Sequence, residues 1–170
     1  MKNFKHIKNL YYYSTSIGEI GIADNGEAIT GVYFAGENDL QYDEGVHINE
    51  TGLIREAAAQ LMDYLDGKRR AFEVPIAMNG TEFQQAVWNA LREIPYGETR
   101  SYRQIAERIG RPKACRAVGM ANNRNPVAVI VPCHRVIGAD GSLVGYGGGL
   151  DTKVRLLNLE KQYASGCSNG

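Results

Sequence analysis

The chain has 170 residues, 44% of them hydrophobic, and carries 19 lysines and arginines against 19 aspartates and glutamates, so its formal charge is zero. That length holds one domain or two small ones around a real core. No apolar run reaches membrane-spanning length, and three cysteines without metal or disulfide spacing speak against a secreted scaffold.

Tyr11-Tyr12-Tyr13 is aromatic and β-prone, and Gly18 to Ala23 and Ala28 to Phe34 read as strands around Asp24-Asn25-Gly26, a hairpin signal. Ala35 to Glu50 is polar and acidic and reads as a loop. Ile54, Ala57, Ala58, Leu61 and Leu65 then form one apolar stripe at helical spacing, with Gly67 as the C-terminal cap. Phe72, Val74 and Ile76 alternate, and Pro75 among them suggests an edge strand. Met78-Asn79-Gly80 is the best boundary. It divides a sheet-plus-helix domain at 1–80 from a mostly helical one at 81–163, followed by a tail at 164–170 in which Cys167 is idle.

Thr81-Glu82-Phe83-Gln84 and Ser101-Tyr102-Arg103-Gln104 are capping boxes that start helices. The first buries Phe83, Val87, Ala90, Leu91 and Ile94, with Trp88 in the core; the second is short and buries Ile105, Ala106 and Ile109. Gly110 closes it, and Pro112 suits the first turn of a following helix that carries Ala114, Ala117, Val118 and Ala121 on one side. Two short helices joined by a glycine turn make a helix-turn-helix. Gly145 to Gly149 is a glycine-rich loop without the Gly-Lys-Ser/Thr of a phosphate loop. A last helix from about Asp151 to Gln162 buries Val154, Leu156 and Leu157 and carries Glu160.

The zero net charge hides an asymmetry: residues 1–80 sum to −5 and residues 81–170 to +5. Between 100 and 135 eight basic residues (Arg100, Arg103, Arg108, Arg111, Lys113, Arg116, Arg124 and Arg135) face one acid, Glu107. Such a block is the electrostatic footprint of a phosphate-backbone partner, though a solvated basic helix face has the same composition.

The stretch that organises the rest is Val127 to Val131 followed by Pro132-Cys133-His134-Arg135-Val136. The β-branched run predicts a strand buried on both faces, ended by Pro132. A lone cysteine there is ordinarily a small buried hydrophobe. His134 and Arg135 beside it favour a thiolate instead. A metal site lacks a second cysteine at ligand spacing, since Cys115 and Cys167 are remote. A cysteine protease needs a remote histidine in a good context, which His6 and His47 do not have. Ala114-Cys115-Arg116-Ala117 only faintly echoes a caspase signature.

With Pro132 to Val136 beside a basic helix-turn-helix, the chain resembles the O6-alkylguanine-DNA alkyltransferase family. The likeness runs from Phe83 to Glu160 through Ser101-Tyr102, Arg116-Ala117-Val118-Gly119, Asn125-Pro126, Tyr146 and Gly148-Gly149-Leu150. It implies an α+β protein, with a small antiparallel, ribonuclease-H-like sheet domain before a winged-helix or helix-turn-helix domain. Cys133 then matches the alkyl acceptor, and His134 the residue that takes its proton through a water. Glu160 matches the carboxylate that orients that histidine, Asn125 the brace of the cysteine turn, and Tyr102 the phenol that meets the flipped base. Arg116 matches the side chain inserted into the duplex, on a helix where Ala117 permits close approach; Arg124 and Arg135 join the DNA-facing set. Tyr146 and the carbonyls of Cys133 and Val136 match the guanine pocket. Gly147 stands where relatives often have serine, leaving its backbone N–H for the O6 atom.

The implied partner is double-stranded DNA carrying O6-alkylguanine, with O4-alkylthymine left open. No cofactor, metal or membrane is implied; the expectation is a cytoplasmic protein, since Met1 to Leu10 has no apolar signal core, and a monomer. Two readings from other classes are a lesion-binding relative that transfers nothing, which Cys133 opposes, and a helix-turn-helix regulator, which needs paired half-sites.

Overall fold

The computed structural model describes residues 6–35 and 45–165. Residues 36–44 of the expected loop, and Cys167 in the tail, lie outside them. The chain divides into two compact units, residues 1–79 with 126–130, and residues 80–125 with 131–170.

In the first unit, β1 (Asn9–Thr15), β2 (Gly18–Asp24), β3 (Ile29–Phe34) and β4 (His47–Ile48) form a sheet in the order β3-β2-β1-β4. The hairpin expected at Asn25-Gly26 joins β2 to β3, with Gly26 at φ 92°. The expected antiparallel sheet is mixed, because β4 runs parallel to β1. Helix α1 (Gly52–Leu65) starts at Thr51, whose hydroxyl accepts from the Ile54 N–H and donates to buried Asp24. It buries Ile54, Ala57, Ala58, Leu61 and Tyr64. The edge strand expected at Phe72 to Ile76 does not form: only Ile76 makes a bridge, parallel to Ile29.

The expected strand at Val127 to Val131 is also corrected. Val127 bridges Val32 of β3 and the Val32 N–H reaches the Pro126 carbonyl at 2.9 Å, but the chain then turns through Val129 at φ 69°. A β-branched residue in the left-handed region costs on the order of 1–3 kcal/mol. The segment is buried as its composition demands, with Val127, Ala128, Val129 and Val131 at 5% exposure or less. Burial here is met without a ladder.

The second unit is helical. α2 (Glu82–Arg92) and α3 (Tyr102–Arg108) both begin with complete capping boxes, at Thr81 and Ser101. α4 (Cys115–Asn123) begins three residues after Pro112, which sits in a turn instead of the first helical turn, and Ala114 caps it without a side-chain bond. α3 and α4 form the helix-turn-helix around Gly110 at φ 75°. Trp88 is 1% exposed and its indole N–H donates to the Ala121 carbonyl at 2.9 Å, fastening α2 to α4. β5 (Arg100–Ser101) and β6 (Val136–Ile137) form a short parallel ladder. α5 (Leu150–Ser165) buries Leu156 and Glu160, while Val154, expected inside, is 37% exposed. No helix among the described residues is long and apolar enough to cross a membrane.

Candidate active site

All the elements of the site belong to the second unit. After Val131 the chain passes Pro132 and winds one 3-10 turn, Cys133–Arg135, closed by the Val136 N–H on the Cys133 carbonyl. The Cys133 N–H bonds the Val131 carbonyl at 2.8 Å, and Cys133 is 5% exposed. Two amides hold this turn, Asn122 in the last turn of α4 and Asn125 just beyond it. Asn125 donates to the Val131 carbonyl at 2.8 Å, and Asn122 donates to the Cys133 carbonyl at 3.3 Å. The β5–β6 ladder places Tyr102, first residue of α3, beside the chain that leaves the turn.

Behind the cysteine lies a buried polar network. His134 is 0% exposed, and its Nε2 is 2.6 Å from Glu160 Oε2. Arg135 donates to both Glu160 oxygens, at 2.7 and 3.1 Å, and to the Ile94 carbonyl at 2.7 Å. The Gly97 N–H adds a bond to Glu160 Oε1 at 3.1 Å. Gly97 has φ 81°, and a Cβ there would sit 2.7 Å from the Ala164 methyl, so glycine is required for this approach. Burial alone would raise the Glu160 carboxyl; the hydrogen bond from His134, foremost, and the Arg135 guanidinium outweigh it and bring the group down to about 2. Burial lowers His134 below its ordinary value, against the pull of Glu160 and with the help of Arg135 and Lys153. An ionised carboxylate can only accept, so Nε2 carries the proton of a neutral imidazole and Nδ1 is the basic nitrogen.

Around the turn, the Tyr102 hydroxyl donates to the Val144 carbonyl at 3.1 Å. Lys153, on α5, is 0% exposed and donates to the Val136 carbonyl at 2.7 Å and to that of Val144 at 3.2 Å. Burial, then the charge of Cys133, raises the Tyr102 phenol above its ordinary range. Tyr146 is half-buried, and Gly147 is exposed. Arg116, Ala117 and Arg124 are exposed on and just beyond α4. Arg135 is placed otherwise than expected. It is 7% exposed, stacked 5.7 Å from the Tyr96 ring centre and committed to Glu160, so it belongs to the core network and not to a DNA-facing set.

The structure therefore gathers Cys133, His134, Glu160, Asn125, Tyr102 and Val136 around one turn. Sequence reasoning missed Asn122, Gly97 and Lys153. Gly97 stands in a Pro-Tyr-Gly stop signal, and Lys153 looks like any charged helix residue. Only the spacing of Asn122 three residues before Asn125 hinted at a pair. The arrangement can ionise a thiol beside a neutral base whose orientation is fixed by a buried carboxylate.

The chain is similar to known proteins over most of its length. The family described as 6-O-methylguanine DNA methyltransferase matches through its ribonuclease-like domain at residues 10–78 and its DNA binding domain at residues 82–162. A methylated-DNA–protein-cysteine methyltransferase of Methanosarcina acetivorans is 53% identical over 154 residues, which is 89% of this chain and 98% of that protein. One of Mycobacterium leprae is 51% identical over 145 residues, 85% of this chain and 87% of its own. The crystal structure of Mycobacterium tuberculosis OGT in complex with DNA superposes with a TM-score of 0.82 at 44% identity, covering 91% of this chain and 94% of that one.

Proposed function

Since this chain belongs to the 6-O-methylguanine DNA methyltransferase family, we propose that Cys133 is the residue at which it takes up the alkyl group. The activity is direct-reversal DNA repair: a methylated-DNA–protein-cysteine methyltransferase acts on DNA and moves the alkyl group to a cysteine. Residues 81–163 carry the transfer, and the protein works as a cytoplasmic monomer.

The observation that carries the assignment to Cys133 is the buried chain of contacts behind it, His134 to Glu160 at 2.6 Å with Arg135 and Gly97 completing the carboxylate. A target atom inside a stacked duplex is unreachable, so the nucleotide is extruded, with Arg116 filling its place. His134 Nδ1 takes the thiol proton through a water, because adjacent side chains rarely face each other. The thiolate attacks the alkyl carbon, a C–S bond forms, the C–O6 bond breaks, and its electron pair leaves with guanine. The proton held by His134 returns to that base, so charge and atoms balance. The Cys133 and Val136 carbonyls read the guanine amine, Tyr102 moves its hydroxyl from Val144 to the base, and Tyr146 and the Gly147 N–H line the pocket. Arg124 and Ala117 meet the backbone.

A benzylated guanine base tests this without DNA. Wild type should gain one benzyl mass on the Cys133 peptide and Cys133→Ser none, while both keep DNA affinity. Labelling of Cys133→Ser at the wild-type rate would remove Cys133 from the reaction.

A further inference from the structure

Buried charges in proteins are paired, because an isolated ion in a low-dielectric interior is costly. Among the described residues of the second unit the buried charged side chains are Arg135, Glu160 and Lys153, with His134 held neutral. Arg135 and Glu160 cancel, tied at 2.7 Å. Lys153 does not cancel: it is 0% exposed, and its acceptors are the neutral carbonyls of Val136 and Val144. The cluster therefore sums to one positive charge, beside two further ionisable groups, the thiol of Cys133 and the phenol of Tyr102.

The geometry ties the two together. The Val136 carbonyl that holds the ammonium belongs to the residue whose N–H closes the Cys133 turn. The other acceptor, Val144, also receives Tyr102. One ammonium thus fastens the strand leaving the cysteine to the loop that carries Tyr146. Burial pushes Lys153 below the ordinary lysine range while the charge of Cys133 pulls it back, as expected for an anion within reach.

We propose that Lys153 is a positioning residue of the transfer, the fixed countercharge that makes the buried Cys133 thiolate affordable and keeps its turn and the Val144 loop in register. The inference rests on the reading of Cys133 as the alkyl acceptor. His134 removes the proton; Lys153 neutralises what remains. When the alkyl group has moved, the negative charge leaves with guanine and the ammonium keeps only its two neutral carbonyl acceptors. The titratable and charged groups that the elements meeting at this turn contribute are His134 and Arg135 from the turn itself, the buried Glu160 and Lys153 from α5, and Tyr102 from α3.

The test is the pH profile of Cys133 modification by iodoacetamide without DNA, in wild type, Lys153→Met and Lys153→Arg. The midpoint should rise by about one unit or more in Lys153→Met, which is roughly tenfold less thiolate at a pH below both midpoints. Lys153→Arg should restore most of it. Methyl transfer by Lys153→Met should be slowed about tenfold at neutral pH and recover as the pH is raised. A folded Lys153→Met protein with the wild-type midpoint would overturn the proposal. Should that variant not fold, the titration of Lys153 followed by its ¹³Cε resonance decides. The midpoint should be lower in Cys133→Ser than in wild type, and equality of the two would equally overturn the proposal. If wild type gained no methyl mass from an alkylated oligonucleotide, the transfer reading would fail, while the iodoacetamide profile would still decide the countercharge.

Discussion

Glu160 is the residue on which the site's order depends, since four donors converge on its two oxygens. Glu160→Gln should slow transfer and, by leaving the Arg135 guanidinium buried without its counter-ion, cost about 3–5 kcal/mol of stability; chemical denaturation beside a transfer time course measures both. The pH dependence follows from the same pair. Burial lowers His134 in the fold below its ordinary 6.5, so the unfolded chain takes up that proton first and stability falls as the pH drops below 6.5. Glu160, lowered from 4.5 to about 2, contributes stability that is present above 4.5 and lost as the pH falls towards 2. Wild-type melting temperature should therefore decline in two stages on acidification, and Glu160→Gln should lack the second. At this scale the sequence was legible where chemistry is local. Cys133 with His134 announces a nucleophile and base, but nothing local says that Arg135 turns inward or that Lys153 is buried, because both depend on partners 25 and 17 residues away.

At the scale of elements, the two helix starts with capping boxes and the β2–β3 hairpin were readable, and the start of α4 and the later strands were not. Ser101 accepts from the Gln104 N–H while Gln104 reaches back, so Ser101→Ala should cost about 1 kcal/mol and loosen the N-terminus that carries Tyr102; a urea midpoint and the transfer rate would report the two effects. Arg116→Ala should impair repair of duplex more than reaction with the free base, because Arg116 stands exposed on α4 and its proposed part is in extrusion. Equal losses on both substrates would remove the insertion role. The capping boxes were legible because each is closed within four residues. The run at Val127 to Val131 was misread because β-branched apolar residues report burial, and burial was supplied by a bridge to β3 and a left-handed turn instead of a ladder. Phe72 to Ile76 failed for the same reason: alternation was present, but only Ile76 found a partner strand.

For the whole molecule, charge segregates by sequence half, and the surface sharpens that pattern. Within the basic stretch Arg100, Arg103 and Arg108 are spent on Glu98, Glu107 and Glu93, and Arg135 on Glu160. Arg111, Lys113, Arg116 and Arg124 make no salt bridge among the described residues and are exposed. DNA affinity should therefore fall with salt along a log–log slope of about −3 to −4, set by these four cations, with little dependence on sequence. A slope near zero by anisotropy titration would contradict it. The chain as a whole is also consumed by its reaction, because a dialkyl thioether offers no leaving group that a second nucleophile could displace, unlike a disulfide. The measurement that tests this most directly is intact mass against stoichiometry, with a methylated duplex in large excess. Repair should rise linearly to about one lesion per molecule and stop, with one added methyl on the Cys133 peptide and none on that of Cys115 or Cys167. Sustained turnover with unmodified Cys133 recovered at the end would contradict the account.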